Sequence, residues 1–245
     1  MTSIDSLIDG TRTYNIPPDH LDWGDSFFEM ILTGIADNHG IYDYRDVYST
    51  VDVLIHSGDL FGDDTWQSEE EFVGIIKNLQ TIFPNAKIII VPGNHDYLLE
   101  RYNSQSIHSL FGDDLVMLVD ELFEFCGLKF YGNPHTPLSM AFPRRGNFND
   151  IDKIPRNLDV LITHETPRCL ELGCVTNYRG STEPGCLELY KKVLEVKPRY
   201  HIFGHIHEYE DKVLENIHFI NCSQSYHGKH FKPNITLHEI NPVEP

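Results

Sequence analysis

Val53-Leu54-Ile55-His56-Ser57-Gly58-Asp59 is a run of β-formers that breaks at a glycine and presents a carboxylate at the break. The physical reading is a buried strand over Val51 to Ile55 ending in a tight turn, because glycine admits the turn and Asp59 then projects from the strand end. The same pattern recurs along the chain. Asp37-Asn38-His39 follows the apolar stretch Glu29 to Ala36, and Gly93-Asn94-His95-Asp96 follows Lys87 to Val91. Thr163-His164-Glu165 closes the stretch Leu158 to Thr163, and Gly204-His205-Ile206-His207 follows Tyr200 to Phe203. Each apolar run is strand-sized, so the edge of one sheet can receive all five polar islands.

Between Asp59 and Lys87, Ser68 precedes Glu71 at capping-box spacing, and Phe72, Ile75, Ile76, Leu79, Ile82 and Phe83 follow helical spacing until Pro84. Strand, helix, strand implies a right-handed parallel crossover. Downstream, Leu115 to Val119, Glu121 to Cys126 and Leu128 to Tyr131 read as strands, with Cys126-Gly127 as a tight turn. The segment Gly132 to Ile154 reads as loop and Cys186 to Val196 as a helix. Lys212 to Leu214, Ile217 to Ile220 and Ile235 to Ile240 read as antiparallel strands. The sum is an α/β chain with a mixed sheet and helices outside, arranged as a two-sheet sandwich. Residues 29–245 are expected to form a single domain. Residues 1–28, polar and acidic with Pro17-Pro18, are expected to be an extension that wraps it, a candidate lid.

The 245 residues suffice for one large core, and 37 acidic against 19 basic residues give a formal charge of −18. That charge disfavours long nucleic acids as partners. It leaves small phosphates open, since two divalent ions would add about four positive charges locally. The start, Met1 to Leu7, has neither the basic nor the apolar segment of a secretory signal. No apolar run approaches the ~20 residues needed to cross a bilayer. The five cysteines contain no CxxC pair, which suits reduced thiols. No membrane association and a cytoplasmic location are therefore expected.

The islands carry the chemistry. Asp37 and His39 lie two apart, on one side of an extended segment, and can grip one ion. Asp59 has two oxygens with which to bridge two ions. Asn94 offers an amide oxygen without charge, while His95 beside it can face a substrate as proton donor or charge stabiliser. Asp96 could hold that imidazole in orientation. His164 emerges where a core strand meets solvent, and His205 and His207 share one side of a turn. His201, inside the strand, reads as a packed histidine instead. Each island alone matches an ordinary turn or cap; their joint occurrence at strand ends points to metal. Carboxylates, one amide oxygen and four imidazoles suit borderline divalent cations, with donors enough for two. Manganese is the expected metal; iron, zinc, nickel, cobalt and magnesium are compatible.

On these five islands the chain resembles the calcineurin-like metallophosphoesterases. The resemblance implies a four-layer α-β-β-α sandwich of two mixed β-sheets flanked by helices. It also implies that Asp37, His39, Asp59 and His207 hold a first metal, that Asp59, Asn94, His164 and His205 hold a second, and that His95 is the catalytic imidazole outside the metal shell. Gly62 stands where the pattern commonly has an acidic residue, with Asp63 next, and Ala36 stands where serine is usual. The stretches Asp52 to Asp59, Tyr131 to Pro137, and Gly185-Cys186-Leu187-Glu188 through to Gly204-His205-Ile206-His207-Glu208 are similar to the metallophosphoesterase-domain-containing branch found in animal brain and microbes. Members of that branch resemble phosphodiesterases of cyclic nucleotides.

The implied activity is hydrolysis of a small phosphodiester or nucleotide by hydroxide formed between two cations bridged by Asp59. The alternatives are a phosphomonoesterase or protein phosphatase on the same centre, or a scaffold that binds metal and nucleotide. Substrate recognition falls to the loop Gly132 to Asn149, which offers His135, Arg144 and Arg145, with Phe142 and Phe148 able to stack on a base. The competing reading makes Arg144-Arg145 a solvated surface pair. Oligomeric state stays open.

Overall fold

The computed structural model describes residues 11–13, 30–44, 50–62, 66–137, 140–144, 149–169, 174–176, 182–226, 230–231 and 236–241. Val53–His56 is the third strand in a five-stranded sheet and is buried along its whole length. It pairs in parallel with Met30–Ile35 on one side and Lys87–Ile90 on the other. Leu115–Met117 extends the sheet in parallel, and His238–Ile240 closes the opposite edge antiparallel to Met30–Ile35. Parallel strands covered on both faces are largely apolar on both, which is why Val53-Leu54-Ile55 and Ile88-Ile89-Ile90 are apolar runs without alternation.

Side chains on successive strand residues point to opposite faces, so each strand feeds two separate cores. Leu54, Ile88 and Ile90 face a core shared with Phe72, Ile76 and Leu79 of the helix Glu69–Ile82. Val53, Ile55 and Ile89 face the opposite way and meet Phe130, Val160, Ile162, Ile202 and Ile220 of a second sheet. That sheet has seven strands, in the order Thr11–Thr13, Glu121–Phe125, Leu128–Asn133, Val160–Thr163, Tyr200–Phe203, Ile217–Asn221 and Glu210–Leu214. Its outer face sends Leu161, Phe203 and Phe219 against Leu189 and Val193 of the helix Leu187–Val196. Three cores separate four layers: helix, sheet, sheet, helix.

Ser68 caps the helix Glu69–Ile82, its side chain accepting the Glu71 N–H at 3.1 Å. Cys126 and Gly127 take positive φ values of 49° and 77°, the geometry of a two-residue hairpin turn. Among the described residues, four helical segments depart from the sequence reading: 3₁₀ turns at Tyr97–Arg101 and Gly112–Asp114, the helix Ser104–Phe111, and the four-residue helix Asn149–Asp152 inside the expected loop. The last is too short to show a period. Ser104–Phe111 had a readable signal in its capping box, Asn103 with Ser106. Of the expected extension 1–28, Thr11–Thr13 is an edge strand parallel to Leu122–Glu124, and the rest lies outside the described residues.

Met30–Ile35, Val53–His56 and Lys87–Ile90 run parallel, as do Val160–Thr163 and Tyr200–Phe203. Their carboxyl ends therefore share edges, and the five islands leave from those ends. The sheets are tied there by Ala36 N–H to Cys222 O at 3.0 Å and Gln224 N–H to Ala36 O at 2.8 Å.

Candidate metal centre

Four of the residues delivered to this edge, Asp37, His39, Asp59 and His205, have left-handed backbones, with φ of 53°, 46°, 57° and 72°. Such φ values are uncommon outside glycine and cluster where geometry serves a site. The turns brace one another: Asp37 N–H donates to Gly58 O at 2.9 Å and His39 N–H to Asp59 O at 3.1 Å. Close approach also needs bare backbone. A Cβ on Gly58 would strike the His164 imidazole, and one on Gly93 would strike the Asp59 carboxylate.

The two oxygens of Asp59 face different partners. Oδ2 lies 3.8 Å from His39 Nε2, and Oδ1 lies 3.3 Å from His164 Nε2. On the first side, donor atoms of Asp37, His39, Asp59 and His207 all lie within 4.8 Å of one another. His39 Nε2 and His207 Nε2 are 3.1 Å apart, and His207 Nε2 is 3.7 Å from Asp37 Oδ1. On the second side, His164 Nε2 lies 3.0 Å from Asn94 Oδ1, and the His205 ring meets the His164 ring edge-on at 5.1 Å.

The donor set fits divalent cations. His164 Nδ1 sits 2.8 Å from the Ser57 carbonyl, an acceptor, so it carries the proton and Nε2 presents a lone pair. That lone pair faces two further acceptors, Asn94 Oδ1 and Asp59 Oδ1. Only a cation or an extra proton reconciles three converging lone pairs. Metal bonds of about 2.1 Å at right angles place neighbouring donors about 3.0 Å apart, close to the spacings found. The titration behaviour agrees. Burial would lower the His164 pKa, yet Asp59 beside it drives it up to about 10. Burial would likewise raise Asp59, and His164 holds it below the usual carboxylate range. Burial lowers His39, and burial with His164 nearby takes His205 down to about 4, leaving both neutral as ligation requires.

His95 stands at the rim of this cluster. Its backbone N–H donates to Asp59 Oδ1 at 2.8 Å, and its ring meets that of His39 at 4.9 Å. Asp96 occupies a different place from the one read in the sequence. Its Oδ2 accepts the N–H groups of Gly93 and Asp59 at 2.7 and 2.9 Å, and its Oδ1 those of Leu60 and Phe61 at 2.8 and 3.2 Å. Both oxygens are committed to backbone, so Asp96 clamps the Asp59 turn and does not orient the His95 imidazole. Burial and the Asp59 charge push its carboxyl up to about 7, and the N–H donors oppose that rise.

The loop read as substrate-binding is also corrected. Arg144 turns inward, its side chain 4% exposed, paired with Asp150 at 2.9 Å and donating to His135 O at 2.9 Å. It is a buried buttress, unavailable to a ligand. His135 lies 3.2 Å from Asp120, Phe142 is buried in the core, and Arg145 and Phe148 lie outside the described residues. The loop nevertheless walls the site, since Ala141 N–H donates to Asn94 O at 3.0 Å. His201 is packed, as read, with Nε2 2.9 Å from Thr163 Oγ1. Gln67 escaped the sequence reading: it donates to His95 O and accepts the Leu98 N–H at 2.8 Å, yet nothing distinguishes it from any polar residue before a helix cap. Ser225, whose hydroxyl donates to Asp37 O at 2.7 Å, gave no signal either.

Residues 30–209 match the family model for calcineurin-like phosphoesterases. A UPF0046 protein of Caenorhabditis elegans is 32% identical over 196 residues, which cover 72% of this chain and 64% of the worm protein. Human metallophosphoesterase domain-containing protein 1 is 27% identical over 186 residues, covering 64% of this chain and 54% of its own length. The chain thus spans less than two thirds of these relatives. Among solved structures, the phosphopantetheinyl hydrolase of Mycobacterium tuberculosis superposes with a TM-score of 0.57 at 16% identity, covering 88% of this chain and 97% of that one, which establishes a shared fold. The matched segment contains every residue of the centre from Asp37 to His207, and the chain belongs to the calcineurin-like phosphoesterase family.

Proposed function

We propose that this chain is a metal-dependent phosphodiesterase acting on small phosphodiesters of nucleotide or cyclic-nucleotide type. The observation that carries the reading is the division of Asp59, one oxygen toward His39 and the other toward His164, with His95 alongside. Two divalent ions bound by these residues, manganese being the expected one, supply Lewis acidity toward a phosphoryl oxygen and acidify water. The protein does the rest. Asp37, His39, Asp59 and His207 on one side and Asn94, His164 and His205 on the other fix the donors, and Ser57 O fixes the His164 tautomer. The half-buried His95 imidazole hydrogen-bonds a phosphoryl oxygen and gives its proton to the departing alkoxide. A diester with a poor sugar alkoxide as leaving group needs that proton most, which favours diesters over aryl-type monoesters. The formal charge of −18 favours a small substrate over a long polyanion.

Cys126, Cys186 and Cys222 carry free thiols, in keeping with a reducing, cytoplasmic setting. Among the described residues no helix is long and apolar enough to cross a membrane.

The test compares manganese-loaded protein on bis(p-nitrophenyl) phosphate, p-nitrophenyl phosphate, and 2′,3′- and 3′,5′-cyclic nucleotides. We expect kcat/KM for a diester to exceed that for the monoester. Faster monoester turnover would replace the proposal with a phosphomonoesterase or protein phosphatase. Nucleotide binding without turnover of any ester would replace it with a binding scaffold.

A further inference from the structure

A second cluster of metal-type donors lies apart from the centre and shares no residue with it. Donor atoms of Asp211, His218 and His238 lie within 4.8 Å of one another. Asp211 belongs to Glu210–Leu214, His218 to the neighbouring strand Ile217–Asn221, and His238 to His238–Ile240. The first two strands form one margin of the seven-stranded sheet, and the third is the edge of the five-stranded sheet. Three donors thus meet where the margins of the two sheets face each other.

The geometry is prepared on every side. Asp211 Oδ1 lies 2.5 Å from His218 Nε2, while Tyr209 donates its hydroxyl to Asp211 Oδ2 at 3.2 Å and holds the carboxylate from behind. The His218 ring stacks on Tyr200 at 5.3 Å and 28°, and the His238 ring meets it edge-on at 4.8 Å and 88°. Tyr200 also anchors the third strand, donating to Glu239 O at 3.0 Å. His238 is 7% exposed, and its Nε2 is buried without a hydrogen-bond partner among the described residues. An unsatisfied buried imidazole nitrogen is a costly feature unless something binds there.

We propose that Asp211, His218 and His238 form a second, independent metal site that takes a borderline divalent cation such as zinc and staples the margins of the two sheets. One carboxylate and two imidazoles are a zinc-type donor set, with water completing the tetrahedron. The second-layer contacts from Tyr209 and Tyr200 match what holds ligands in place elsewhere. Because the cluster joins a hairpin of one sheet to the edge strand of the other, its three donors converge only in the folded chain, and the cation binds that form in preference to the unfolded one and so stabilises the fold.

The test uses the full chain, stripped with chelator and dialysed against zinc chloride, with metal content measured by elemental analysis. Asp211→Asn and His218→Ala, both partly exposed positions, are expected to retain one equivalent of zinc fewer than wild type. His238→Ala is expected to do the same; should it fail to fold, the other two variants decide. In a background carrying Asp59→Asn and His164→Ala, which disables the first centre, one equivalent should still bind. Saturating zinc should then raise Tm by about 5 °C or more, a rise that Asp211→Asn abolishes. Equal zinc content in wild type and the folded variants, or no zinc-dependent rise in the disabled background, overturns the site. Neither outcome bears on the phosphodiesterase reading, which is tested by turnover.

Discussion

Asp96→Asn tests the claim that this carboxylate holds the Asp59 turn. The substitution keeps shape and volume and replaces one acceptor oxygen with an NH₂ group. Whichever oxygen is replaced, two buried backbone N–H groups then face a donor: those of Gly93 and Asp59, or those of Leu60 and Phe61. A buried donor left unsatisfied costs about 1–3 kcal/mol, so the pair amounts to about 4 kcal/mol. That is a large fraction of the ~5–15 kcal/mol of a typical domain. Urea unfolding of metal-free protein should show the loss directly, with an unchanged m-value. Since Asp59 sits at φ 57° within the released turn, metal content and turnover should fall together. Stability within about 1 kcal/mol of wild type, together with full metal content, would refute the clamp. A variant that kept its metal and lost only rate, with a displaced pH profile, would instead return Asp96 to the role of orienting His95.

Three further outcomes follow from the same geometry. Gly93→Ala puts a methyl group onto the Asp59 carboxylate and backbone, so we expect loss of bound metal and at least about 100-fold lower kcat/KM in a chain that still folds; retained metal would contradict the close packing. His95→Ala should lower kcat by about 10²- to 10⁴-fold with metal content unchanged, measured as turnover per bound metal, and a loss under tenfold would remove His95 from the chemistry. Burial takes the His201 pKa down from 6.5 to about 3, so the unfolded chain gains a proton as pH falls through 6.5 while the folded one does not until about 3. Stability contributed by this residue is therefore present above pH 6.5 and lost on acidification, by about 2 kcal/mol at pH 5. Urea melts at pH 7 and 5 should show His201→Gln losing about 2 kcal/mol less than wild type; equal losses would contradict it.

The strands and the polar residues gathered at their ends were legible because both depend on local pattern. An apolar run buried on two faces and cut by Gly-Asp or Gly-Asn-His announces both the strand and its end, and Leu54 and Ile55 diverge into separate cores by strand geometry alone. The misread residues are those whose partners no local pattern announces. Asp96 stands beside His95 in sequence, yet its carboxylate reaches Asp59, Leu60 and Phe61, more than thirty positions away. Arg144 reads as exposed until Asp150, on a helix with no detectable period, draws it inward. His218 and His238 are twenty residues apart and each looks like an ordinary strand histidine. Nothing local reveals that two sheet edges bring them together.

The centre is built against backbone preference, and this explains how its parts depend on one another. Left-handed φ costs a non-glycine residue about 1–2 kcal/mol, and four of the proposed ligands adopt it. Glycine would remove that cost and the donor with it, so the conformations must be held from outside. The holding contacts run in series. Asp96 accepts the N–H groups that shape the Asp59 turn; the carbonyls of Gly58 and Asp59 accept the N–H groups of Asp37 and His39; and the Asp37 carboxylate accepts the His205 N–H at 3.0 Å. One buried carboxylate that touches no metal therefore supports ligands on both sides of Asp59. Substitutions at ligands other than Asp59 remove one donor from one side, whereas a substitution at Asp96 loosens the frame from Asp59 outward to His205, which is why metal affinity on both sides should fall together there and separately at those single ligands.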